Sequence, residues 1–333
     1  MSFKFKSIEQ FVSEKNADKI LFTAGPSSLL AENLTGLMPC FGRGDSEYLS
    51  LEKRVLNLLK LMTGKNEVIR LQGSASLALE IMHMNYLFGK ILVVSTGYYS
   101  DRLNYLSECA KLSQNKIQSI ERVDWKNIGS TSGSYDWVVA CSTETSCGLK
   151  IPINALHKLS KSVNAKLMLD ATASIGLEPD HNLADVLAFS SCKGLFGLTG
   201  AAFIAFDEKP SHDVSSFYMS FLNHYNKKMT GPYHSIASLA NVLPNHNYFR
   251  ESVVINKQRF LKKMESLLLF PEEHQPLLCT QIKKIVVSDN RNVVLYSSRN
   301  NSGGSVVCHL GEAHLGAQAK GSIIENLMVE EKT

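Results

Sequence analysis

A carboxylate and an amine follow two apolar segments of this 333-residue chain. Asp170 ends residues 166–170 (KLMLD), and Lys193 comes 23 residues later, just after residues 186–192 (VLAFSSC). An acid that ends a buried strand needs a partner, because burying an unpaired carboxylate is costly, although it could also cap the next turn. The lysine is either a side chain that reaches solvent or a desolvated amine that forms a Schiff base.

Three further segments with small, hydroxyl-bearing or aromatic side chains follow other apolar runs. Residues 72–76 (QGSAS) offer either an anion site at a helix start or a capped tight turn. Residues 96–102 (TGYYSDR) carry two aromatic rings that either cover a planar ligand or simply pack. Residues 141–148 (CSTETSCG) are dense in hydroxyls and thiols, but no histidine at ligand spacing supports a metal there.

Taken together, these segments supply what pyridoxal phosphate requires. The cofactor needs a phosphate site, a ring stack, an acid at the pyridine nitrogen and a Schiff-base lysine. The interval between Asp170 and Lys193 matches one strand–helix–strand step, which predicts that both lie at neighbouring strand ends.

The elements that must position these residues alternate between strand and helix patterns. Strands are predicted at residues 67–71, 91–95, 137–140, 166–169, 186–190 and 203–206, and helices at 77–87 and 153–162. The strands are apolar throughout, as in a sheet covered on both faces, which indicates an α/β layer with a largely parallel sheet. After about residue 245 the pattern predicts a smaller α+β domain, with a long helix at 249–269, strands at 283–287, 293–296 and 306–310, and a final helix near 321–329.

Composition excludes several classes of protein. Hydrophobic residues make up 44% of the chain and charged residues 20%, which supports a sizeable core and excludes global disorder. The net charge of +4 gives no argument for nucleic acid, and no apolar run is long enough to predict a membrane span. The N-terminus lacks an apolar signal core, and seven scattered cysteines argue against a disulfide scaffold or zinc ribbon. We therefore expect a cytoplasmic protein that binds neither nucleic acid nor membrane.

Seven segments resemble those of class V aminotransferases of the fold-type I pyridoxal-phosphate family. The likeness is greatest to 2-aminoethylphosphonate–pyruvate transaminases and covers about residues 20–245. The segments occur in the family's order: 25–27 (GPS), 72–76 (QGSAS), 97–102 (GYYSDR), 144–148 (ETSCG), 170–176 (DATASIG), 190–193 (SSCK) and 230–234 (TGPYH). The resemblance implies an α/β fold with a mostly parallel seven-stranded sheet sandwiched by helices. We divide the chain into an N-terminal segment (1–20), a large cofactor-binding domain (21–245) and a smaller α+β C-terminal domain (246–333).

The resemblance also implies roles toward the cofactor, pyridoxal 5′-phosphate. Lys193 corresponds to the lysine that forms the Schiff base and carries a proton, and Asp170 to the partner of the ring nitrogen. Tyr99 and Thr172 correspond to the residues on the two faces of the ring. The other implied contacts are a phosphate cradle (Ser74, Ala75 and Ser76), a hydroxyl near the phenolic oxygen (Thr145), a further cofactor-binding serine (Ser190) and a threonine lent across a homodimer to the partner's phosphate (Thr230).

Three departures from the family pattern bear on this assignment. Ala75 stands where glycine is usual, and Cys192 where a polar amide is usual. His309 stands where the family has an arginine that holds the substrate's carboxylate or phosphonate, and histidine binds an anion only when protonated. Arg299 and Arg43 are the alternative anion-binding residues.

The resulting hypothesis is a homodimeric aminotransferase that uses pyridoxal 5′-phosphate. It would act between a small amino donor, 2-aminoethylphosphonate-like or alanine-like, and an oxo acid or aldehyde such as pyruvate. The alternatives are a lyase or a sugar- or aldehyde-directed transaminase of the same fold, and a cofactor-binding homologue without turnover. Lys193 and Asp170 argue against the last of these, and the change at His309 argues for it.

Overall fold

The chain folds around a seven-stranded sheet in a computed structural model that describes residues 6–17, 19–27, 29–37, 42, 44–299, 303–315 and 324–330. In order across the sheet, the strands are β2 (Glu67–Gln72), β10 (Ala201–Phe206), β9 (Val186–Ser190), β8 (Lys166–Asp170), β5 (Trp137–Cys141), β3 (Gly89–Ser95) and β4 (Ile117–Asp124). β10 is antiparallel to both of its neighbours, and the other pairings are parallel. The mostly parallel seven-stranded sheet that was expected is confirmed.

Six of these strands agree with the predicted ones to within two residues at each end. The sequence did not predict β4, which among the described strands pairs only with β3, at the edge of the sheet. Its side chains are mostly exposed or half-buried, and Glu121 and Arg122 interrupt its apolar run. An edge strand of this kind lacks the continuous apolar pattern of a buried parallel strand.

Helices cover both faces of the sheet. One face carries α3 (Ser46–Thr63), α6 (Ile153–Ser162) and α8 (Tyr233–Val242), and the other carries α4 (Ala75–Tyr86), α5 (Tyr98–Ser113) and α7 (Phe221–Tyr225). Within β5, Val138 and Ala140 pack in the first layer, whereas Trp137 and Val139 pack in the second. Successive side chains of a strand point to opposite faces, so a sheet covered on both sides needs apolar residues at every position. Among the described residues, no helix has the length and apolarity that a membrane span requires.

Six strands of the sheet run in the same direction and end at one edge. β2 runs parallel to β9, because both are antiparallel to β10. The segments that follow β2, β3, β5, β8 and β9 therefore meet at this edge, where sites lie in open α/β sheets.

The C-terminal part, residues 246–330, forms two-stranded sheets beside one long helix, α9 (His246–Met264). β11 (Cys279–Ile282) pairs antiparallel with β14 (Ser305–Cys308), and β12 (Val286–Val287) pairs antiparallel with β15 (Met328–Val329). β13 (Val293–Leu295) pairs with a strand near the N-terminus, β1 (Ile20–Phe22). Besides 3-10 turns, the remaining elements are α1 (Ile8–Ala17), α2 (Ala31–Thr35) and a two-residue ladder between β6 (Thr143–Glu144) and β7 (Leu149–Lys150). The division of the chain near residue 245 stays a prediction.

Predictions for this C-terminal part were less accurate. The long helix ends at Met264, five residues earlier than predicted, and a short 3-10 turn follows it. The strand predicted at 283–287 is extended only over Val286–Val287, because residues 283–284 form a bend after β11. The final helix near 321–329 is wrong for its described residues, 324–329, which form a 3-10 turn followed by β15. This arrangement buries Ile324 and Leu327 in the core and pairs β15 with β12.

Candidate active site

A cavity of about 460 Å³ opens at the carboxyl ends of the parallel strands. The sequence-predicted residues that line it are Ser74, Ala75, Ser76, Tyr99, Thr172, Ser190 and Lys193. Asp170 and Thr145 line a narrow recess that shares Tyr99, Thr172 and Lys193 with the cavity. The structure therefore brings nine of the predicted residues to one place, in a cavity of the size that holds small ligands.

Lys193 lies on the loop after β9, where an N-terminal segment holds its stem. Gly25 has a φ of +127°, and a Cβ there would lie 3.0 Å from Lys193 Cγ, so the close approach favours glycine. Ser27 donates its backbone N–H to the carbonyl of Cys192 at 2.8 Å. The amine of Lys193 lies 5.7 Å from the centroid of the Tyr99 ring. The lysine is thus supported on one side while it lines the cavity on the other.

Asp170 is buried at the end of β8, and Arg102 is its charged partner. Its Oδ2 lies 3.6 Å from Arg102 Nη2, and its Oδ1 accepts the backbone N–H of Thr172 at 2.9 Å. The Arg102 guanidinium also lies 4.9 Å from the Tyr99 ring centroid and donates to Ser76 Oγ at 3.3 Å. Arg102 therefore links the acid, the aromatic ring and the cradle. Sequence reasoning gave it no role, although its position three residues after Tyr99 on α5 puts both on one helix face.

A buried histidine lies close enough to Asp170 to interact with it electrostatically. His83 of α4 binds the carbonyl oxygen of Leu79 through Nδ1 at 2.7 Å. Burial lowers its pKa to about 4, although the Asp170 carboxylate acts in the opposite direction. His83 is therefore neutral at neutral pH, and the positive charge beside Asp170 comes from Arg102.

The cradle is the start of α4. Ser74 is its extended N-cap residue, and the Ser74 side chain makes no capping hydrogen bond. First-turn N–H groups have no acceptor within a helix, and the helix dipole favours a negative charge beside them. Ala75 and Ser76 therefore offer backbone donors to an anion. Ala75 has helical backbone geometry and is absent from the positive-φ positions of the described chain, so alanine fits there as well as glycine.

Two buried hydroxyls test whether pyridoxal 5′-phosphate fits this site. Thr172 Oγ1 has no hydrogen-bond partner among the described residues, and Thr145 Oγ1 has the buried Tyr296 hydroxyl beside it. Buried polar atoms are usually paired, so hydroxyls of this kind at the wall of a cavity are suited to a polar ligand. With the cradle for an anion, the Tyr99 ring for a flat ring and the Asp170 carboxylate for a ring nitrogen, the residues present fit the cofactor.

Thr230 does not line the cavity of its own chain. It is exposed in the segment between α7 and α8. That segment is anchored by an ion pair between Lys227 and the buried Glu52. It also packs closely against Arg70, since a Cβ at Gly231 would lie 2.7 Å from the Arg70 Cζ atom.

The three candidates for binding the substrate's anionic group lie in different surroundings. Arg299 is exposed on the loop after β13, where its Nη1 donates to the Tyr98 hydroxyl at 2.6 Å. Arg43 lies outside the described residues.

His309 is buried, with Nε2 3.0 Å from Thr280 Oγ1 and its ring 5.2 Å from that of Phe260. Burial lowers the pKa of His309 to about 3. The structure does not bring His309 to the cavity, so the geometry gives no support to a role in substrate binding.

Comparison with known proteins finds aminotransferases both by sequence and by fold. No protein-family profile matches the chain. Over 273 residues, it is 26% identical to a 2-aminoethylphosphonate–pyruvate transaminase of Pseudomonas aeruginosa, which covers 75% of this chain and 73% of that protein. Its structure matches a subgroup IV aspartate aminotransferase of Thermus thermophilus with a TM-score of 0.76 and 19% identity, over 92% of this chain and 99% of the other. An alanine–glyoxylate aminotransferase of Nostoc also gives 0.76, with 17% identity, over 92% and 94%. The chain is thus similar in sequence to 2-aminoethylphosphonate–pyruvate transaminases, and its fold is that of the fold-type I pyridoxal-phosphate aminotransferases.

Proposed function

We propose that this chain is an aminotransferase that uses pyridoxal 5′-phosphate and moves an amino group between a small amino donor and an oxo acid or aldehyde such as pyruvate. The observation that carries the proposal is the meeting of Lys193, Asp170 and Tyr99 with the N-terminus of α4 around one cavity. The names of its sequence relatives and structural neighbours belong to the same class of reaction. The donor we propose is 2-aminoethylphosphonate-like or alanine-like.

Binding and orientation of the cofactor fall to residues on five different segments. When bound, pyridoxal 5′-phosphate supplies the electron sink that makes amino transfer possible. The start of α4 binds the phosphate, while Tyr99 and Thr172 hold the two faces of the ring. Ser190 and Thr145 add hydroxyls at the wall. The Asp170 carboxylate stabilises a proton on the ring nitrogen, because an opposite charge nearby favours the protonated form.

Lys193 is the residue that moves the proton. Its Nζ lies beside the Tyr99 ring and lines both the cavity and the recess. We assign to this amine the attachment of the cofactor and, once the amino group of the substrate has displaced it, the removal of a proton from the substrate carbon and its return to the carbon at the other end of the C–N linkage. A single amine on a short loop after β9 serves both positions without a second base.

We propose that Arg299 recognises the anionic end of the substrate. Its guanidinium stacks on Tyr98, 4.9 Å from the ring centroid, and Tyr98 directly precedes Tyr99 in α5. Arginine keeps its charge at all working pH values and binds carboxylate or phosphonate with two parallel hydrogen bonds. We expect R299Q to raise KM for an anionic donor while leaving kcat nearly unchanged. The matched control is R291Q, at the other end of β13. Equal KM values for R299Q and the unaltered protein would exclude Arg299.

Fold-type I aminotransferases are typically homodimers that act on small molecules. We propose the same assembly here, with Thr230 reaching the phosphate of the partner's site, in a cytoplasmic protein. Most homodimers have two-fold symmetry, so each chain would give and receive the same contact.

A half-reaction experiment tests the proposed activity. Purified protein loaded with the cofactor is mixed with one amino donor and no acceptor, and its visible absorbance is followed. We expect conversion from the aldehyde to the amine form of the cofactor with 2-aminoethylphosphonate or alanine, and reversal on addition of pyruvate. A lyase would release product and keep the aldehyde form, and a protein without turnover would show no change. Either outcome would overturn the proposal.

A further inference from the structure

Glu144 is a fully buried carboxylate immediately before Thr145 in the chain. It belongs to one of the segments that resemble the aminotransferase family, but sequence reasoning gave it no role. We infer that Glu144 is a positioning residue that fixes Tyr99 and Thr145 relative to each other. This inference rests on the proposed cofactor site, where these two residues bind the ring and its hydroxyl.

One oxygen of Glu144 caps the helix that carries Tyr99. The N-cap residue of α5 is Gly97, which has no side chain to accept the first N–H groups of the helix. Glu144 Oε2 accepts the backbone N–H of Tyr99 at 2.9 Å and that of Ser100 at 3.2 Å. A carboxylate at this place also matches the positive end of the helix dipole. The backbone of Tyr99 is therefore held directly by Glu144.

The other oxygen of Glu144 holds the segment that carries Thr145. Glu144 Oε1 accepts the backbone N–H of Ser146 at 3.2 Å and also the Ser146 hydroxyl. Thr145 thus lies between two residues that are joined by this turn. Its own hydroxyl is buried at the recess, beside the Tyr296 hydroxyl. The Glu144 carboxylate therefore holds the backbone on both sides of the recess, at Tyr99 and next to Thr145.

The partners that Glu144 has in the described part of the chain are hydrogen-bond donors, which only an ionised carboxylate can satisfy in full. Thr96 supplies a further donor through its hydroxyl, 3.2 Å from Oε2. Burial raises the pKa of Glu144, while the hydrogen bonds from Ser146, Ser100 and Tyr99 act in the opposite direction. A glutamine of the same shape would turn an NH₂ group toward N–H donors and lose one of the two anchored segments.

A double-mutant experiment tests this inference on the full-length protein loaded with cofactor. Three readouts are measured for E144Q, Y99A and the double variant: the rate of cofactor loss, the visible circular dichroism of the bound cofactor, and the melting temperature. E144Q should speed cofactor loss by at least about tenfold, because charge-assisted hydrogen bonds are lost. If Glu144 acts through Tyr99, the increase in the rate of cofactor loss in the double variant should be at least about threefold smaller than the product of the increases in the two single variants. The dichroism of E144Q should change as the ring tilts.

The matched control is E178Q. Glu178 is also nearly buried, accepts the backbone N–H of Leu277 at 2.6 Å and pairs with Lys150, but it lines neither the cavity nor the recess. E178Q should leave the rate of cofactor loss within about twofold of the unaltered protein, and its effect should multiply with that of Y99A.

The outcomes separate the inference from the proposed function. If Y99A leaves cofactor loss unchanged, the proposed ring site is wrong. If Y99A speeds it but the effects of E144Q and Y99A multiply, Glu144 is only a structural residue and the inference is wrong. Should E144Q fail to fold, T96V and S146A each remove one hydroxyl donor to Glu144 and leave the carboxylate in place. They should show smaller effects in the same direction, coupled to Y99A, and purely multiplicative effects would overturn the inference.

Discussion

Replacing Asp170 by asparagine removes one charge from the site and keeps the shape of the side chain. Asp170 is only 3% exposed, and its Oδ1 accepts the backbone N–H of Thr172 at 2.9 Å. The amide oxygen of asparagine can still accept that hydrogen bond, so we expect the turn after β8 to persist. The lost interaction is the one between the carboxylate and a positive partner.

The distance to Arg102 gives the size of that interaction. The Arg102 cation lies 3.6 Å from Oδ2 in this structure, which sets the distance scale for a positive charge that pairs with Asp170. Two unit charges about 4 Å apart attract each other by about 4 kcal/mol at an effective dielectric constant of about 20. If the charge on the ring is needed only in the transition state, this corresponds to a roughly 10³-fold loss of rate.

The assay is the half-reaction rate of D170N with a saturating amino donor, together with its melting temperature. D185N is the matched control, since Asp185 accepts the backbone N–H of Leu167 at 2.7 Å at the opposite end of the same strand. We expect D185N to react at the unaltered rate. A D170N rate within about tenfold of the unaltered protein would refute the reasoning, because the carboxylate would then contribute less than about 1.4 kcal/mol.

Three further predictions follow from the site and its surroundings. Borohydride reduction should fix the cofactor to Lys193, and K193A should lose turnover; a reduced adduct on another lysine in peptide mapping would exclude this residue. If Thr230 serves the partner's site, mixed dimers of K193A and T230A chains should regain one fully active site, whereas mixed dimers no more active than T230A alone would show that it serves its own chain. Burial lowers the pKa of His309 to about 3 and that of His83 to about 4, from 6.5. Their contribution to stability is therefore complete above pH 6.5 and falls on acidification by about 1.4 kcal/mol per pH unit for each histidine. H309N should flatten the acid side of a urea-unfolding profile, and an unchanged slope would show that His309 is not buried in its neutral form.

The central sheet was predictable because burial on both faces dictates its composition. β8 and β9 are apolar at nearly every position, and the polar residues directly after them stand out against that background. The same contrast identifies Asp170 and Lys193 as candidates from the amino-acid sequence alone. β4 was missed because an edge strand with exposed charges has no such contrast.

Residues that act through others were not predictable from local pattern. Arg102 looks like an ordinary helical arginine, and its link to Asp170 exists only because α5 packs beside the end of β8. Glu144 looks like a polar residue in a loop, and its role depends on a helix start about 45 residues earlier in the chain. Such contacts require the strand order of the sheet, which the sequence pattern leaves open.

The register of β14 explains why His309 could not be placed from the sequence. Side chains along a strand alternate between its two faces. Val306 and Cys308 pack with Ala173 and Phe196, which follow β8 and β9 of the seven-stranded sheet. Val307 lies on the opposite face of β14 and packs with Phe22 and Phe260. His309 lies on the same face as Val307, since its ring lies against Phe260.

Cys308 lies on the face of β14 toward Lys193. The Lys193 amine lowers the pKa of the Cys308 thiol, against the larger raising effect of burial. A shift of one residue would exchange the two faces. A motif match that aligns His309 with a substrate-binding arginine therefore does not show which face His309 occupies. The pairing of Cys308 with Cys279 fixes that register. In this register the face of β14 toward Ala173 and Phe196 presents a small thiol and no positive charge, which is consistent with the proposal that Arg299 on the loop after β13 binds an anionic substrate.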